Sequence, residues 1–494
     1  MRSRFLRFIE DKLPAAACRE YGVYLHSVRE DAFMADLGDR DVLVAKANLD
    51  FQGERFSAGG CDWVLAELSH ENAVILREKF PFTAPVSVLR QPRTLGLGDR
   101  LGLASPGHLQ ALQGYDALPV LAQQSIRELT LTGRSFPEVL DCACWAVFRE
   151  GYTGGFGADG DHLKTFEEVQ YAIDCGYTMI TLDCSEHIRN DAAAMSDEEV
   201  ARAYRPDPAR EAKYLGKSFS VEDCNISFPA EEFKRMCLIY NDAIDFAAQV
   251  YERFFRDRDD LDFEVSIDET ATTTAPAQHF YVASELLSRG VKPATVAPRF
   301  CGEFQKGIDY IGDPEQFEAE LRQHAAIARH FGYKISVHSG SDKFSVFPRV
   351  GRQCRGVFHV KTAGTSWLEA MAVIARREPA LYREIHRFAL EEAFAEATKY
   401  YHVTTNLGNI PPLSSLTDDE LPALFGNNDA RQLIHITYGG ILQAKNSDGT
   451  PRFRDRLYRA WRSFAADYAD NLEQHIGKHL ALLYRDIPAD TKEA

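Results

Sequence analysis

The segment KISVHSGSDKF, residues 334–344, decides how the fold is interpreted. Its apolar half, Lys334 to Val337, has the composition of a short buried strand. It leads directly into His338, two serines, an aspartate and a lysine that surround Gly340. A buried strand that ends in a cluster of polar side chains is typical of the catalytic end of an α/β barrel. The segment therefore predicts one strand of such a barrel, and other strands of the same kind should occur along the chain.

Short β-branched runs alternate with helical patterns from about residue 105 onward, as parallel βα units do. Right-handed crossovers of this kind build either a closed barrel or an open doubly wound sheet, and eight units favour the barrel. The predicted fold class is therefore α/β, a (β/α)8 TIM-type barrel. The runs predicted as its strands are residues 142–148, 178–183, 263–268, 294–298, 334–338, 356–361, 401–405 and 433–437.

The rest of the chain is assigned around this barrel. Residues 1–105 mix strand and helix patterns and are predicted to form an N-terminal α+β cap region. The barrel itself is expected over residues 106–440, with an insert at 189–228 that is long enough to form a lid. Residues 441–494 carry aromatic and charged side chains at helical spacing, and we expect a helical extension packed on the barrel.

Composition and charge exclude several classes of protein. The 494 residues carry a formal net charge of -17, which disfavours nucleic acid or an anionic membrane as the main partner. No apolar run reaches the roughly 18 residues that span a bilayer, so a cytoplasmic location is expected. Ten cysteines occur without a CxxC pair, which predicts reduced thiols and no disulfides. The expected partner is a small molecule, with a homo-oligomer also open.

Polar residues recur where the predicted strands end, which is where a barrel enzyme places its active site. Three of them are histidines, at positions 162, 338 and 359, each in a polar cluster. Imidazole and carboxylate together suit a divalent ion such as Zn, Mn, Co or Ni, although a lone histidine on a strand is usually structural. Lys361 could be the nucleophile of a Schiff-base aldolase or could simply bind a substrate oxygen. Arg299, Lys164 and Lys343 could anchor a carboxylate or form structural ion pairs.

Six longer motifs together resemble the tagaturonate epimerase family. They are FGADGDHLKT, SIDETATTTAPAQHFYVASEL, VAPRFCGEFQKGIDYIGD, HAAIARHFGYKISVHSGSDKFSVFP, HVKTAGTSWLEA and LFGNNDARQLIHITYG, and the resemblance covers roughly residues 145–440. It implies a barrel fold and a metal-dependent tagaturonate/fructuronate epimerase of hexuronate catabolism. Some proteins that resemble this one act on the neutral ketohexoses tagatose and fructose, so either substrate class is compatible with the resemblance.

The resemblance implies chemistry at a carbon β to a ketone, which simple enolisation cannot invert. Retro-aldol cleavage, rotation of the aldehyde and re-addition would invert it, and a metal would stabilise the enediolate. A route through an oxidised intermediate also remains open. The residues assigned on this hypothesis are Asp161 and Asp183 as acid and base, Arg299, Lys343 and Lys361 as substrate anchors, and His162, Glu269, His338 and His359 as metal ligands.

Two other interpretations of the sequence remain. One is an aldolase, either metal-dependent or Schiff-base, that releases its sugar-acid fragments instead of recombining them. The other is a barrel that binds sugar acids without reaction. The second is disfavoured because binding alone does not require so many ionisable groups at one face.

Overall fold

The N-terminal layer is a small antiparallel sheet. The computed structural model describes residues 2–11, 15–270 and 272–489. Strands β1 (Ala32–Asp36), β2 (Asp41–Lys46), β3 (Gly53–Ala58) and β4 (Cys61–Glu67) pair in the order β1-β2-β4-β3. Successive side chains point to opposite faces of a strand, so Met34 enters the main core while Phe33 packs in a separate cluster with Trp63. The sheet is therefore buried on both faces.

Parallel strands close into an eight-stranded barrel within the described residues. The strands that follow the N-terminal sheet are β5 (Arg93–Leu97), β6 (Leu118–Gln124), β7 (Gly157–Leu163), β8 (Met179–Asp183), β9 (Ser218–Val221), β10 (Cys224–Ser227), β11 (Asp262–Ile267), β12 (Thr295–Pro298), β13 (Lys334–Val337) and β14 (Phe358–Thr362). Each barrel strand pairs with its sequence neighbour in the barrel, and β14 closes the ring by pairing with β5. The hairpin of β9 and β10 lies between the fourth and fifth barrel strands and outside the barrel. The predicted fold class, an α/β barrel of the (β/α)8 type, is confirmed.

Helices surround the barrel, and those of the C-terminal part of the chain form a second hydrophobic core. They are α1 (Arg2–Asp11), α2 (His70–Lys79), α3 (Ser105–Ala111), α4 (Ile126–Thr132), α5 (Phe136–Glu150), α6 (Phe166–Asp174), α7 (Asp197–Ala203), α8 (Pro208–Tyr214), α9 (Ala230–Phe254), α10 (Pro276–Ser288), α11 (Pro314–Phe331), α12 (Phe347–Gln353), α13 (Gly364–Arg377), α14 (Pro379–Phe388), α15 (Phe394–Ala397), α16 (Asn428–Ile436), α17 (Tyr438–Gln443), α18 (Arg454–Ser463) and α19 (Ala465–Arg485). None of the helices in the described ranges is long and apolar enough to cross a membrane.

Three of the predicted strands are wrong. Residues 142–148 belong to α5, which begins with a capping box between Ser135 and Glu138 and ends at Gly151 in a left-handed conformation. Residues 433–437 lie mostly in α16, and residues 401–405 form no strand. Short apolar runs fit a buried helix as well as a buried strand, which explains the error at 142–148 and 433–437. The barrel instead contains β5, β6 and β7, which the sequence patterns did not reveal.

The barrel occupies a different part of the chain from the one predicted. Its first strand begins at Arg93, ahead of the expected start at residue 106, and its last ends at Thr362, so residues 363–440 are helices and loops. The insert at 189–228 packs on the outer helices α9, α10 and α11. No residue of the insert lines the cavity at the barrel mouth, so a lid at that position does not match its placement.

The C-terminal extension is helical as far as it is described. Helix α19 packs against α3, α12 and α13, which brings it to the side of the barrel. The predicted extension ran to residue 494, and residues 490–494 lie outside the described ranges, as do residues 1 and 12–14 of the predicted cap region and residue 271 of the predicted barrel.

Candidate active site

The carboxyl ends of the barrel strands open into a cavity of about 530 Å³. Side chains from the ends of β6, β7, β8, β11, β13 and β14 line its floor, and residues 304–306 and 400–402 line its rim. Parallel strands bring all their carboxyl ends to one side of the barrel, so residues far apart in sequence converge there. The cavity is therefore where the polar strand ends of the sequence meet.

A bulge in β7 directs two successive side chains into this cavity. The pairing of β7 with β8 shifts between Gly160 and Leu163, and His162 lies in the shifted segment with a positive φ of 55°. In a regular strand Asp161 and His162 would point to opposite faces, but both line the cavity. The bulge and the left-handed backbone conformation thus redirect His162, as such features do near active sites.

His338 follows the last residue of β13 and meets two carboxylates. Its Nδ1 lies 3.1 Å from Oδ2 of Asp268, and its Nε2 lies 2.7 Å from Oε1 of Glu264. The His338 side chain is 6% exposed. Burial alone would lower the pKa of His338, but Asp268 and Glu264 outweigh burial and raise the pKa to about 10. The imidazole is therefore held firmly by charges of opposite sign.

His162 lies beside His338. The centroids of the two rings are 5.0 Å apart, and Nδ1 of His162 lies 2.7 Å from Oδ1 of Asp161. Burial opposes protonation, but Asp161 outweighs it and raises the pKa of His162. Each imidazole thus has one ring nitrogen paired with a carboxylate that is not itself a candidate metal ligand. Pairing of this kind orients metal-binding histidines.

Ligand-type atoms of His162, Asp268 and His338 all lie within 4.8 Å of one another. Two imidazoles and one carboxylate suit a divalent transition metal, and three protein ligands leave positions open for a substrate. The residues present therefore fit such an ion. In a second group of similar spacing, Asp342 with two histidines of α19, hydrogen bonds and ion pairs already engage the ligand-type atoms.

Lys361 is buried among acidic side chains. Its Nζ lies 2.7 Å from Asp159, 2.5 Å from Asp161 and 3.3 Å from Glu264, and it also donates to Thr181. Burial disfavours the ammonium form, but the carboxylates outweigh burial and raise the pKa of Lys361 well above its usual value. The lysine is therefore a fixed cation at the floor of the cavity.

The carboxylates around Lys361 differ from one another. Burial raises the pKa of Asp159 to about 6, partly offset by Lys361. For Asp161 burial acts in the same direction, but His162 and Lys361 outweigh it and lower its pKa below the usual range. Asp161 is thus a fixed anion that pairs with His162 and Lys361, and it is poorly suited to take up a proton.

Asp183 lies at the end of β8, and within the described part of the chain only one of its two carboxylate oxygens accepts a hydrogen bond. Oδ1 accepts a hydrogen bond from the backbone N–H of Ser185, and Oδ2 lies 3.3 Å from Nζ of Lys164. The Oδ2 atom is buried without a hydrogen-bond partner among the described residues. Asp183 also lines the cavity, so its carboxylate borders the space that a substrate would occupy.

Two of the predicted ligands lie outside the three-residue group. Glu269 lines the cavity next to Asp183, and partial burial together with Asp183 raises its pKa. His359 is fully buried in the barrel, where Nδ1 lies 2.9 Å from Oγ1 of Thr94, and it does not line the cavity. It is the second residue of β14, whereas Lys361 is two residues nearer the mouth. The sequence predicts His359 at the end of its strand. In the structure it lies deeper in the barrel than that position.

Two of the predicted substrate anchors have other partners. The guanidinium of Arg299 donates to the carbonyl of Thr270 and braces that loop, and Arg299 does not line the cavity. Lys343 does line it, but its Nζ donates to the carbonyls of Gln305, Ile308 and Ser341 at 2.7–2.9 Å. Three donors are thereby engaged, which is the full capacity of an ammonium. Arg299 is thus placed away from the cavity, and Lys343 has no donor left for a substrate.

Sequence reasoning did not assign roles to several residues in the cavity wall or directly beneath it. Glu264 and Asp268 alternate with apolar residues in DFEVSID, and Asp159 and Asp161 alternate in GADGD. Side chains alternate between the two faces of a strand. Acidic residues at every second position therefore indicate polar side chains that point into the barrel. Gln123 gave no such signal. It is 2% exposed, lines the cavity and has an unpartnered Oε1 within the described part of the chain.

Comparisons with known proteins confirm the family resemblance. The family model for tagaturonate epimerase matches residues 22–483. The tagaturonate/fructuronate epimerase of Thermotoga maritima is 42% identical over 481 residues, which cover 94% of this chain and 97% of that protein. The native crystal structure of fructuronate-tagaturonate epimerase from Cohnella laeviribosi has a TM-score of 0.90 at 53% identity, covering 93% of this chain and 96% of that chain. A complex of the Cohnella laeviribosi enzyme with two glycerol molecules has a TM-score of 0.90 at 52% identity, covering 95% and 99%. The chain belongs to the tagaturonate epimerase family of isomerases.

Proposed function

We propose that this protein interconverts tagaturonate and fructuronate with the help of a divalent metal ion, Zn, Mn, Co or Ni. The observation that carries the proposal is the convergence of His162, Asp268 and His338 at the barrel mouth. Relatives at 42% and 53% identity bear the names of epimerases for these two sugar acids, which supports the choice of substrates.

The reaction is proposed to run by retro-aldol cleavage and re-addition. The two sugar acids differ at the carbon β to the ketone, where the carbonyl does not acidify the C–H bond. Removal of the proton from the β-hydroxyl breaks the neighbouring C–C bond and gives an aldehyde and an enediolate. Rotation of the aldehyde and renewed attack then give the epimer. A bound divalent ion would supply Lewis-acid stabilisation of the negative charge on the enediolate oxygens.

Asp183 is the proposed base for the β-hydroxyl proton. Its Oδ2 lacks a hydrogen bond among the described residues and borders the cavity, while the Ser185 N–H fixes the other oxygen. The nearby Lys164 ammonium, 3.3 Å away, would stabilise the carboxylate between turnovers. Asp161 is proposed as the residue that orients His162 and Lys361, because both hydrogen-bond to it.

Lys361 is proposed to stay an ammonium throughout. A Schiff base requires a neutral amine, and three carboxylates hold the proton on this one. This observation weakens the alternative of an aldolase that reacts through Lys361. The ammonium would instead offset part of the negative charge of the acidic floor.

An NMR assay of the metal-loaded protein in D2O tests the proposal. Tagaturonate should give fructuronate, with hydrogen from the substrate retained at the inverted carbon, because retro-aldol chemistry breaks a C–C bond there and leaves the C–H bond intact. Deuterium at the inverted carbon would contradict the retro-aldol route. Accumulation of three-carbon products in place of the epimer would identify an aldolase.

A further inference from the structure

The cavity contains more lysine and arginine side chains than the sequence assigned, and three of them are already engaged. Lys343 donates to three backbone carbonyls, Lys361 contacts three carboxylates, and Lys164 lies between Asp183 and Glu186. The remaining lysine and arginine side chains on the cavity wall are Arg100, Arg127 and Lys306. Arg127 is exposed and stacks on the ring of Tyr401 at 4.4 Å.

Lys306 is a cation without an acidic partner. It is half-buried in the loop after β12, and its Nζ donates to Oγ of Ser339 at 3.3 Å. Among the residues that the structure describes, no carboxylate forms an ion pair with it. Ser339 directly follows the candidate ligand His338 and has a positive φ of 49°. The loop after β13 therefore connects the candidate metal group to the lysine.

Arg100 has an unused donor in the same wall. The side chain is 2% exposed, and its Nε and Nη2 both donate to Oε1 of Glu128, at 3.0 and 2.8 Å. Its Nη1 is buried without a hydrogen-bond partner within the described ranges, and the guanidinium lies 3.9 Å from the ring centroid of Tyr438. A buried donor left unsatisfied is costly, so an acceptor at this position is expected.

Arg100 and Lys306 both lie near His435, whose ring packs against Gly364 of the cavity wall. His435 is fully buried, and a Cβ on Gly364, which lines the cavity, would meet its ring at 1.8 Å. Burial lowers the pKa of His435, and Arg100 and Lys306 follow as the next two causes in the same direction. Both cations therefore lie close enough to His435 to act on it, although they come from loops after different strands.

We infer that Lys306, together with Nη1 of Arg100, binds the carboxylate of the sugar acid and makes the enzyme selective for uronates over neutral ketohexoses. The inference rests on the proposed function and specifies its substrate class. The carboxylate belongs to the fragment that becomes the aldehyde, so this anchor would hold the fragment in the cavity while the aldehyde turns. Charge-assisted hydrogen bonds of this kind are stronger than neutral ones.

Lys306→Met is the primary test, assayed with tagaturonate and with tagatose. Tagatose carries a hydroxymethyl group in place of the carboxylate. Loss of a hydrogen bond to a charged group should lower kcat/KM for tagaturonate about 10- to 100-fold. The value for tagatose should change less than about threefold, since the lost contact is charge-assisted only for the acid. Lys306→Arg should restore much of the tagaturonate activity, and Arg100→Lys should lower tagaturonate activity more than tagatose activity.

Lys292→Met is the matched control, because this exposed lysine lies on a separate cavity at the opposite end of the barrel. It should leave both substrates unaffected. Equal losses on tagaturonate and tagatose in Lys306→Met, or no loss on either, would overturn the inference.

A binding assay separates this inference from the proposed function. Galactonate and galactitol lack the ketone, so they cannot react, and they differ in the carboxylate. Wild type should bind galactonate more tightly than galactitol by calorimetry, and Lys306→Met should remove most of that difference. If wild type does not epimerise tagaturonate, the proposed function fails while this comparison still decides the role of Lys306. An unchanged preference for galactonate in the variant would refute it.

Discussion

At the scale of single residues, the candidate site depends on how each imidazole is held. Asp161 pairs with Nδ1 of His162, Glu264 pairs with Nε2 of His338, and Nδ1 of His338 faces Asp268 of the candidate ligand group. Side chains fixed in this way need no rearrangement to accept an ion. The neighbouring Lys361 lies among the same carboxylates and offsets their charge.

His338→Ala should abolish both metal binding and turnover, because it removes one of three converging ligand atoms. Metal content after loading and dialysis, measured by mass spectrometry, checks the first effect, and the NMR assay checks the second. The control is His330→Ala, on the outer face of α11, which should retain metal and activity. A metal-replete and active His338→Ala variant would remove this residue from the site.

Lys361→Met should destabilise the protein strongly, because it leaves Asp159, Asp161 and Glu264 buried without their cation. Breaking a buried ion pair from one side costs about 3–5 kcal/mol. Urea unfolding followed by circular dichroism measures the loss. Lys399→Met, at an exposed pair with Glu396, should leave the unfolding midpoint unchanged. Equal midpoints for wild type and Lys361→Met would contradict this account.

At the scale of elements, close approaches decide which helices and strands can meet. Helix α13 begins at Gly364 directly against the ring of His435 on α16, and β5 carries Gly96 where the side chain of Gln123 crosses. In both places a Cβ would lie 1.8 Å from a side-chain atom of the neighbour. The glycines are needed at these positions for the space they leave.

Two glycine-to-alanine variants should have opposite effects. Gly364→Ala forces α13 and α16 apart and should destabilise the protein by about 1–3 kcal/mol, as overpacking does. Gly477 lies inside α19, where a Cβ added at this position would meet nothing within 4 Å, so Gly477→Ala should stabilise by about 0.5–1 kcal/mol. Denaturant unfolding of both variants measures the two shifts. A stabilised Gly364→Ala variant would contradict the contact with His435.

At the scale of the whole molecule, α19 is attached to the barrel by a buried polar network. His475 pairs with Asp342 and with Glu369, and Oδ2 of Asp342 accepts from Arg431 at 2.9 Å. Nε2 of His479 accepts from the Asp342 N–H, and its Nδ1 donates to the carbonyl of His475. Every ligand-type atom of this group is thus in use, which argues for a structural connection between the last helix and the active-site loop.

The network should make stability depend on pH through His475. Burial opposes its charge, but Asp342 and Glu369 outweigh burial and raise the pKa of His475 to about 9 from an ordinary value of 6.5. Because the folded-state pKa is the higher one, the stabilisation is complete below about pH 6.5 and is lost as pH rises through about 9. Its size is at most about 3.4 kcal/mol, from 1.36 kcal/mol per pKa unit.

The comparison of wild type with His475→Gln isolates this effect from other groups that titrate in the same range. Wild type should be the more stable protein at pH 6, and the gap should narrow toward pH 9.5, as measured by denaturant unfolding at each pH. A gap that stays constant over this range would show that His475 does not carry the dependence.

Much of the fold could be predicted from local sequence patterns, and the wrongly predicted elements also have local causes. The strands near residues 180, 265, 296, 336 and 359 were predicted because their apolar β-branched runs end at polar residues. β7 was missed because GADGDHL is built from glycines and inward-facing acids, and β6 carries a proline. For residues 142–148, the capping residues Ser135 and Glu138 carried the helix signal that the apolar run obscured.

The candidate site was predictable only in part. His162, His338, Asp161, Asp183 and Lys361 all line one cavity, as the strand-end argument predicted. The depth of His359 in the barrel was not predictable, because it depends on strand register. The hydrogen bonds of Lys343 were not predictable either, because they involve carbonyls from distant loops. The presence of Asp268 instead of Glu269 in the ligand group was not predictable either, because both residues follow the end of β11 and line the cavity, and only the loop conformation brings Asp268 next to His162 and His338.

By itself, the sequence determined that the chain forms a barrel of parallel βα units, that its strand ends carry acids and imidazoles, and that it resembles tagaturonate epimerases. These are local properties, set by hydrophobic periodicity and by residue type. Only the tertiary structure decided which of those groups share an ion-sized space and which cations remain unpaired. Those properties arise from register, from the bulge at His162 and from contacts between loops hundreds of residues apart.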